Sequence, residues 1–103
     1  MARLIIRPAA GSDLRDAIRW YDEESPGLGD RFLDDLRGTQ ARIREMPLQF
    51  PDVGGARRAL LHTFPYAIYF VLLAPDRAVV LAVIHQQRNP SVWRRRIRSS
   101  GMP

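Results

Sequence analysis

The 103-residue chain carries sixteen basic residues, all arginine, against eleven carboxylates, for a net charge of +5. It has no cysteine and only two histidines, which excludes a disulfide framework and a thiolate zinc site and leaves a poor set of metal ligands. With 46% apolar and 26% charged residues it has the composition of a globular protein; the expectation is one domain over 1–103, its core from about residue 3 to about residue 96 and a tail over 97–103.

Leu4-Ile5-Ile6 reads as a short first strand ended by Pro8, which cannot extend a ladder. The same run is too short for the core of a secretory signal, so a cytoplasmic location is expected. Ser12 or Asp13 is placed to cap a helix in which Leu14, Ala17, Ile18 and Tyr21 recur on one face, with Asp16, Arg19 and Asp22 on the wet side. After Glu24-Ser25-Pro26-Gly27 a second helix is expected, with Ser25 as its cap and Pro26 in its first position. Leu28, Phe32, Leu36, Ile43 and Met46 form its apolar stripe, so the two helices should make a hairpin.

Pro47 and Pro51 bracket a loop closed by Gly54-Gly55, and from Arg57 the periodicity becomes extended. Arg58, Leu60 and His62 alternate with Arg57, Ala59, Leu61 and Thr63, which predicts a strand whose one face carries Arg58 and His62 together. Tyr66–Leu73 and Val79–Ile84 are apolar runs joined by the turn Ala74-Pro75-Asp76-Arg77, a central hairpin. Strands apolar on both faces need cover on both, one from the helices and one from the C-terminal segment or a partner. The longest apolar stretch, Phe64 to Pro75, falls well short of the roughly 20 residues that span a bilayer, so no membrane association is expected. The plan is α+β: an N-terminal strand, a helical hairpin, then a three-stranded antiparallel meander in one mainly antiparallel sheet. The glycines match neither a dinucleotide nor a P-loop spacing, and no cofactor is expected.

Charge divides the chain. Residues 1–56 hold eight arginines and ten carboxylates, a net of −2, whereas 57–103 hold eight arginines and only Asp76, a net of +7. Such a half suits an anionic partner, nucleic acid or an acidic polypeptide, because guanidinium forks bind phosphate and carboxylate bidentately. Arg57, Arg58, Arg88, Arg94 and Arg95 are the candidates, with Trp93 able to stack on a base or to anchor the C-terminal segment. Arginine binds phosphate but does not transfer protons near neutrality, which leaves His85 and His62 as the side chains with a useful pKa. His85, Arg88 and Arg58 are therefore the candidates for metal-free RNA cleavage, although a histidine at the rim of the sheet that orders the following turn explains His85 as well.

Three stretches together resemble the RelE/ParE toxin superfamily, in its ParE-like branch, from about residue 3 to about residue 96. They are Trp20-Tyr21 with Ser25-Pro26-Gly27-Leu28-Gly29-Asp30-Arg31-Phe32; Arg57-Arg58-Ala59-Leu60-Leu61 with Phe64-Pro65-Tyr66-Ala67-Ile68-Tyr69-Phe70; and Val83-Ile84-His85-Gln86-Gln87-Arg88-Asn89-Pro90 with Trp93. The resemblance implies the toxin of a type II toxin–antitoxin pair, blocked by a cognate acidic antitoxin encoded beside it. It also implies two alternative targets: DNA gyrase for ParE-like members, the ribosome and its mRNA for RelE-like ribonucleases. Trp93 stands where those ribonucleases tend to carry a tyrosine or another polar catalytic group, and indole exchanges no proton, so the gyrase reading is favoured. Tyr66, Tyr69 and Trp93 are assigned to antitoxin contact.

Overall fold

The computed structural model describes residues 1–88 and 91–99; Asn89, Pro90 and 100–103, which include the last part of the expected tail, lie outside the described residues. In chain order the elements are β1 (Arg3–Ile6), α1 (Pro8–Glu24), α2 (Leu28–Glu45), a 3-10 turn at Pro47–Gln49, β2 (Arg57–Leu60), β3 (Tyr66–Ala74), β4 (Arg77–His85) and α3 (Ser91–Ser99). The sheet order is β1-β4-β3-β2. The meander β2-β3-β4 is antiparallel, and β1 adds to β4 in parallel. The α+β plan and the mainly antiparallel sheet are as expected.

Helix boundaries differ from the expected ones for local reasons. Pro8 does not merely end β1: it opens α1 at a position where its missing N–H costs nothing, with Arg7 as the cap residue. Ser12 and Asp13 therefore lie inside the helix and cap nothing. Ser25 closes α1 instead of opening α2, its N–H donating to the Tyr21 carbonyl at 3.0 Å. The chain then turns through Gly27, whose φ of 87° favours glycine, and α2 starts at Leu28 without a side-chain cap. A Cβ at Gly29 would lie 2.7 Å from the Asp22 carboxyl, which accepts the Gly29 N–H at 2.8 Å, so a side chain there would push that carboxylate aside. The Gly-Leu-Gly junction is thus a compact corner between two helices, and Asp22, though exposed, is part of it. Met46, expected on the buried stripe, is 62% exposed because α2 ends at Glu45.

Tyr21, Phe32, Leu36, Ile43, Phe64, Ile68, Phe70 and Val80 fill the layer between the helical hairpin and the sheet. The expected strand over 57–63 stops at Leu60. There the Asp35 carboxylate accepts the N–H groups of His62, Thr63 and Phe64 at 3.1, 2.8 and 2.9 Å, so the chain leaves the ladder. His62 consequently shares no strand face with Arg58. On the other side of the sheet Tyr69, Val71, Val79, Leu81, Ala82 and Ile84 lie under Trp93, with Val92 and Ile97 packed alongside. This cover is the helix α3, where a tail was expected from residue 97.

One irregularity decides which way β4 points. Tyr69 pairs with Ala82 but Phe70 pairs with Val80, so Leu81 is an inserted residue, a β-bulge. Val80 faces the helical hairpin, Leu81 and Ala82 both face α3, and Val83 returns to the hairpin side. Beyond β1 the outer edge of β4 is open, and two side chains close it. Asp13 of α1 accepts the Val83 N–H at 3.0 Å and pairs with Arg96 of α3 at 2.5 Å, while Arg96 donates to the Leu81 carbonyl at 3.0 Å.

The Asp13 and Arg96 side chains are 14% and 26% exposed, so the pair is largely desolvated. Removal of Asp13 takes away the acceptor of the Val83 N–H and the carboxylate that pairs with Arg96. We expect Asp13→Ala to lower unfolding free energy by on the order of 2–3 kcal/mol in urea titration. A change below about 0.5 kcal/mol, the value of an ordinary surface pair, would contradict this role.

Candidate functional site

The bulge and the alternation of β2 divide the expected cluster of Arg57, Arg58, His85 and Arg88. Arg57 pairs in register with Phe70 and turns to the helical side, where its guanidinium donates to the Phe50 carbonyl at 2.6 Å. It pins the loop before β2. Arg58, one residue on, pairs with Tyr69 and faces α3. His85 stands across from Tyr66 on the helical side, its ring edge-on to the phenol at 5.4 Å between centroids. The turn after β4 holds Arg88, whose N–H donates to the His85 carbonyl at 2.9 Å. Only Arg88 reaches the rim of both sides.

On the α3 side an open cavity of about 230 Å³ is lined by Arg58, Arg88 and Arg94, with Gln86, Val53, Tyr69 and Trp93 completing it. The floor is rigid. Tyr69 and Trp93 stack at 5.2 Å with an interplanar angle of 13°, and they are only 7% and 1% exposed. The sequence points to both as antitoxin contacts, and to Trp93 as a ring that could stack on a base. In this fold their faces are spent on each other and on the sheet, and Trp93 anchors α3. Arg94 lies across the indole, its guanidinium carbon 5.2 Å from the ring centroid. Close beneath, Asp52 accepts the N–H groups of Gly54 and Gly55 at 2.9 Å each, bonds that hold its carboxyl below the ordinary range. Gly54 has a φ of 115°, and the loop so formed passes under the Trp93 ring. Arg95 is exposed on α3, outside the residues that bound the cavity.

On the helical side a different cleft of about 220 Å³ runs between α1 and the end of β4, lined by Asp13, Asp16, Trp20, Tyr66, His85 and Arg88. It holds two carboxylates and only one guanidinium, which disfavours a phosphodiester. One imidazole nitrogen is engaged: His85 Nδ1 accepts the Gln87 N–H at 3.1 Å and so shapes the turn. Trp20 is 54% exposed beside it, edge-on to Tyr21 at 5.0 Å. Burial pushes the Tyr66 phenol above its ordinary 10.0, with Asp13 adding to the rise and Arg88 opposing it; burial and then Tyr66 do the same for Tyr21.

Sequence reasoning grouped Arg58 with His85 because a continuous apolar run hides the bulge. It missed α3, Arg96 and the exposed Trp20. The i, i+4 spacing of Trp93 and Ile97 was the available signal for α3. Among the described residues no group of three or more His, Cys, Asp or Glu is placed to hold a metal ion, and no helix is long and apolar enough to cross a membrane.

The molecule is thus a helical hairpin on one face of a mixed four-stranded sheet, with a basic cavity on the other. The family model of the ParE toxin of the type II toxin–antitoxin system parDE matches residues 4–90, and the chain belongs to that family. Its fold is similar to that of a chain from the chromosomal ParDE toxin–antitoxin system of P. aeruginosa, with a TM-score of 0.70 at 18% identity, over 82% of this chain and 96% of that one. A direct comparison with curated protein sequences gives no match. Membership of a parDE system implies an antitoxin as partner.

Raised phenol values have a measurable consequence. In the folded chain Tyr21 and Tyr66 should ionise above pH 10.0 in an ultraviolet titration, and Tyr66→Phe should remove one late-titrating phenol. Because folding raises these values, the neutral phenols' contribution to stability is intact below the unfolded pKa and is lost as pH climbs through the folded one. Ionisation of Tyr21 and Tyr66 at the ordinary value would refute the packing described around Tyr66.

Proposed function

We propose that this chain is a non-enzymatic toxin that arrests growth in the cytoplasm by binding DNA gyrase, acts as one domain over 1–103, and is neutralised by an acidic antitoxin encoded beside it. One observation carries the choice of binding over catalysis: the guanidinium groups of Arg58 and Arg94 lie on the face of the sheet opposite the His85 imidazole, and of the cluster Arg88 alone stands on the rim between them. Cleavage of a ribose–phosphate backbone requires a base, an acid and charge stabilisation around one phosphorus atom. Arg58 and Arg94 supply only the last, and Trp93 beside them has no proton to exchange. Arg58, Arg88, Arg94 and the exposed Arg95 are proposed as target contacts. A binding toxin needs only complementarity, which a preformed basic cavity provides.

Neutralisation follows from the charge division of the chain. An acidic polypeptide, partly disordered when free, folds onto the toxin and covers the +7 half. Of the three aromatics expected to meet it, Tyr66 borders a cleft next to Trp20, whereas Tyr69 and Trp93 are buried against each other in the floor of the basic cavity. We place the aromatic contact there, and contact with Tyr69 or Trp93 would require α3 to lift.

The purified chain should inhibit gyrase supercoiling and, on brief induction, cause DNA breaks and an SOS response. His85→Ala should keep inhibition within about threefold of the parent, as a residue without a proton-transfer role does. Codon-defined mRNA cuts in translating ribosomes, with intact DNA and with loss of activity in His85→Ala, would replace this reading by the ribonuclease one. Co-expression with the adjacent reading frame should yield a complex with a small acidic protein on size-exclusion chromatography. A monomeric, harmless chain with no such companion would remove the antitoxin from the proposal.

A further inference from the structure

We propose that the cavity bounded by Arg58, Arg88 and Arg94 is a preformed binding site for a single phosphate group. The three guanidinium groups come from three separate pieces of backbone: β2, the turn after β4, and α3. No carboxylate lines the cavity, and none of the three arginines forms an ion pair within the described residues. Three cations held together in this way raise the local potential, and a bound anion relieves it.

The internal structure positions these groups without using up their donors. Arg94 is steadied by its stacking on Trp93. The Arg58 Nε is buried and has no hydrogen-bond partner, so its guanidinium is not committed to the protein interior as those of Arg57 and Arg96 are. Gln86 adds a neutral amide to the lining.

Shape selects phosphate over carboxylate. A carboxylate is planar and is satisfied by one or two forks in its own plane, whereas a tetrahedral phosphate can turn an oxygen toward each of three donors that approach from different directions. At roughly 30 Å³ per water molecule, 230 Å³ has room for one such group with part of its hydration. The floor sets a second limit. Since Tyr69 and Trp93 are buried against each other, no ring face is offered to a nucleobase, and recognition stops at the phosphate. The site does not depend on which macromolecule the toxin poisons; the phosphate comes either from a nucleic-acid strand or from a small phosphorylated compound.

The test uses the full chain carrying Trp20→Phe, so that Trp93 is the sole indole and reports on the cavity floor. Titration with inorganic phosphate at constant ionic strength should change its fluorescence saturably. Arg58→Gln and Arg94→Gln should each weaken binding about tenfold or more, the loss of one charge-assisted contact, with Arg94→Gln serving where Arg58→Gln fails to fold. Arg37→Gln removes the same charge from the exposed face of α2 and should shift affinity by no more than about twofold. A short single-stranded DNA oligomer, with and without a 5′-phosphate, separates the sources: equal binding of both assigns the site to backbone phosphates, binding of the phosphorylated one alone to a terminal phosphate, and binding of inorganic phosphate alone to a small compound. Equal losses in all three arginine variants would reduce the site to diffuse charge and overturn the proposal. So would a response to acetate or to an acidic peptide in the absence of one to phosphate, since the cavity would then read the carboxylates of a polypeptide partner.

Discussion

Where β1 ends, the outer edge of β4 loses its neighbour, and one carboxylate and one guanidinium take over the work of a strand. Asp13 reaches this edge from α1 and Arg96 from α3. Between them they satisfy the Val83 N–H and the Leu81 carbonyl and neutralise each other. Both elements that cover the sheet are thereby tied to one point of one strand, at the bulge. The tie fixes more than stability. The inserted residue Leu81 sets the faces of everything after it, so the direction of His85 and the place of the Arg88 turn follow from the same feature.

Separation of the two faces gives the molecule two distinct surfaces. The helical face at this end is aromatic and acidic, with Trp20, Tyr66 and two aspartates around an imidazole that is busy shaping a turn. The opposite face is basic and shallow, resting on a stacked tyrosine and tryptophan. Arg88 stands on the ridge between them. Side chains that look like a catalytic set in one dimension are thus divided between two faces in three.

Much of the architecture was legible from residue order because the helices are amphipathic and the strands are long and apolar. Leu14, Ile18 and Tyr21, or Phe32, Leu36 and Ile43, announce their face by spacing alone. Corners were less legible. Pro8, Ser25 and Gly27 each suit a helix start, and the choice among them rests on Asp22 meeting Gly29 and on Ser25 meeting Tyr21, contacts that no local rule supplies. The site was least legible. Val79–Ile84 is apolar on both faces, so a one-residue bulge leaves no trace in the pattern, yet it reverses the face of His85. Likewise an arginine-rich segment resembles a solvated tail until Trp93 and Ile97 are seen to share a face, and Arg96 reveals its role only through an aspartate 83 residues away.

The parallel pairing of β1 with β4 has a kinetic meaning. Arg3 meets Arg77 and Ile6 meets Val80, so β1 has no partner until β4, far along the chain, is made. The hairpin α1–α2 and the meander β2-β3-β4 can each form from neighbours in sequence, but the closure that joins them spans more than seventy residues and must offset its loop entropy in one step. Until then β4 exposes an edge, and the tie between Asp13 and Arg96 cannot form. A newly made toxin therefore passes through an interval in which its central sheet is open to any chain able to pair with it.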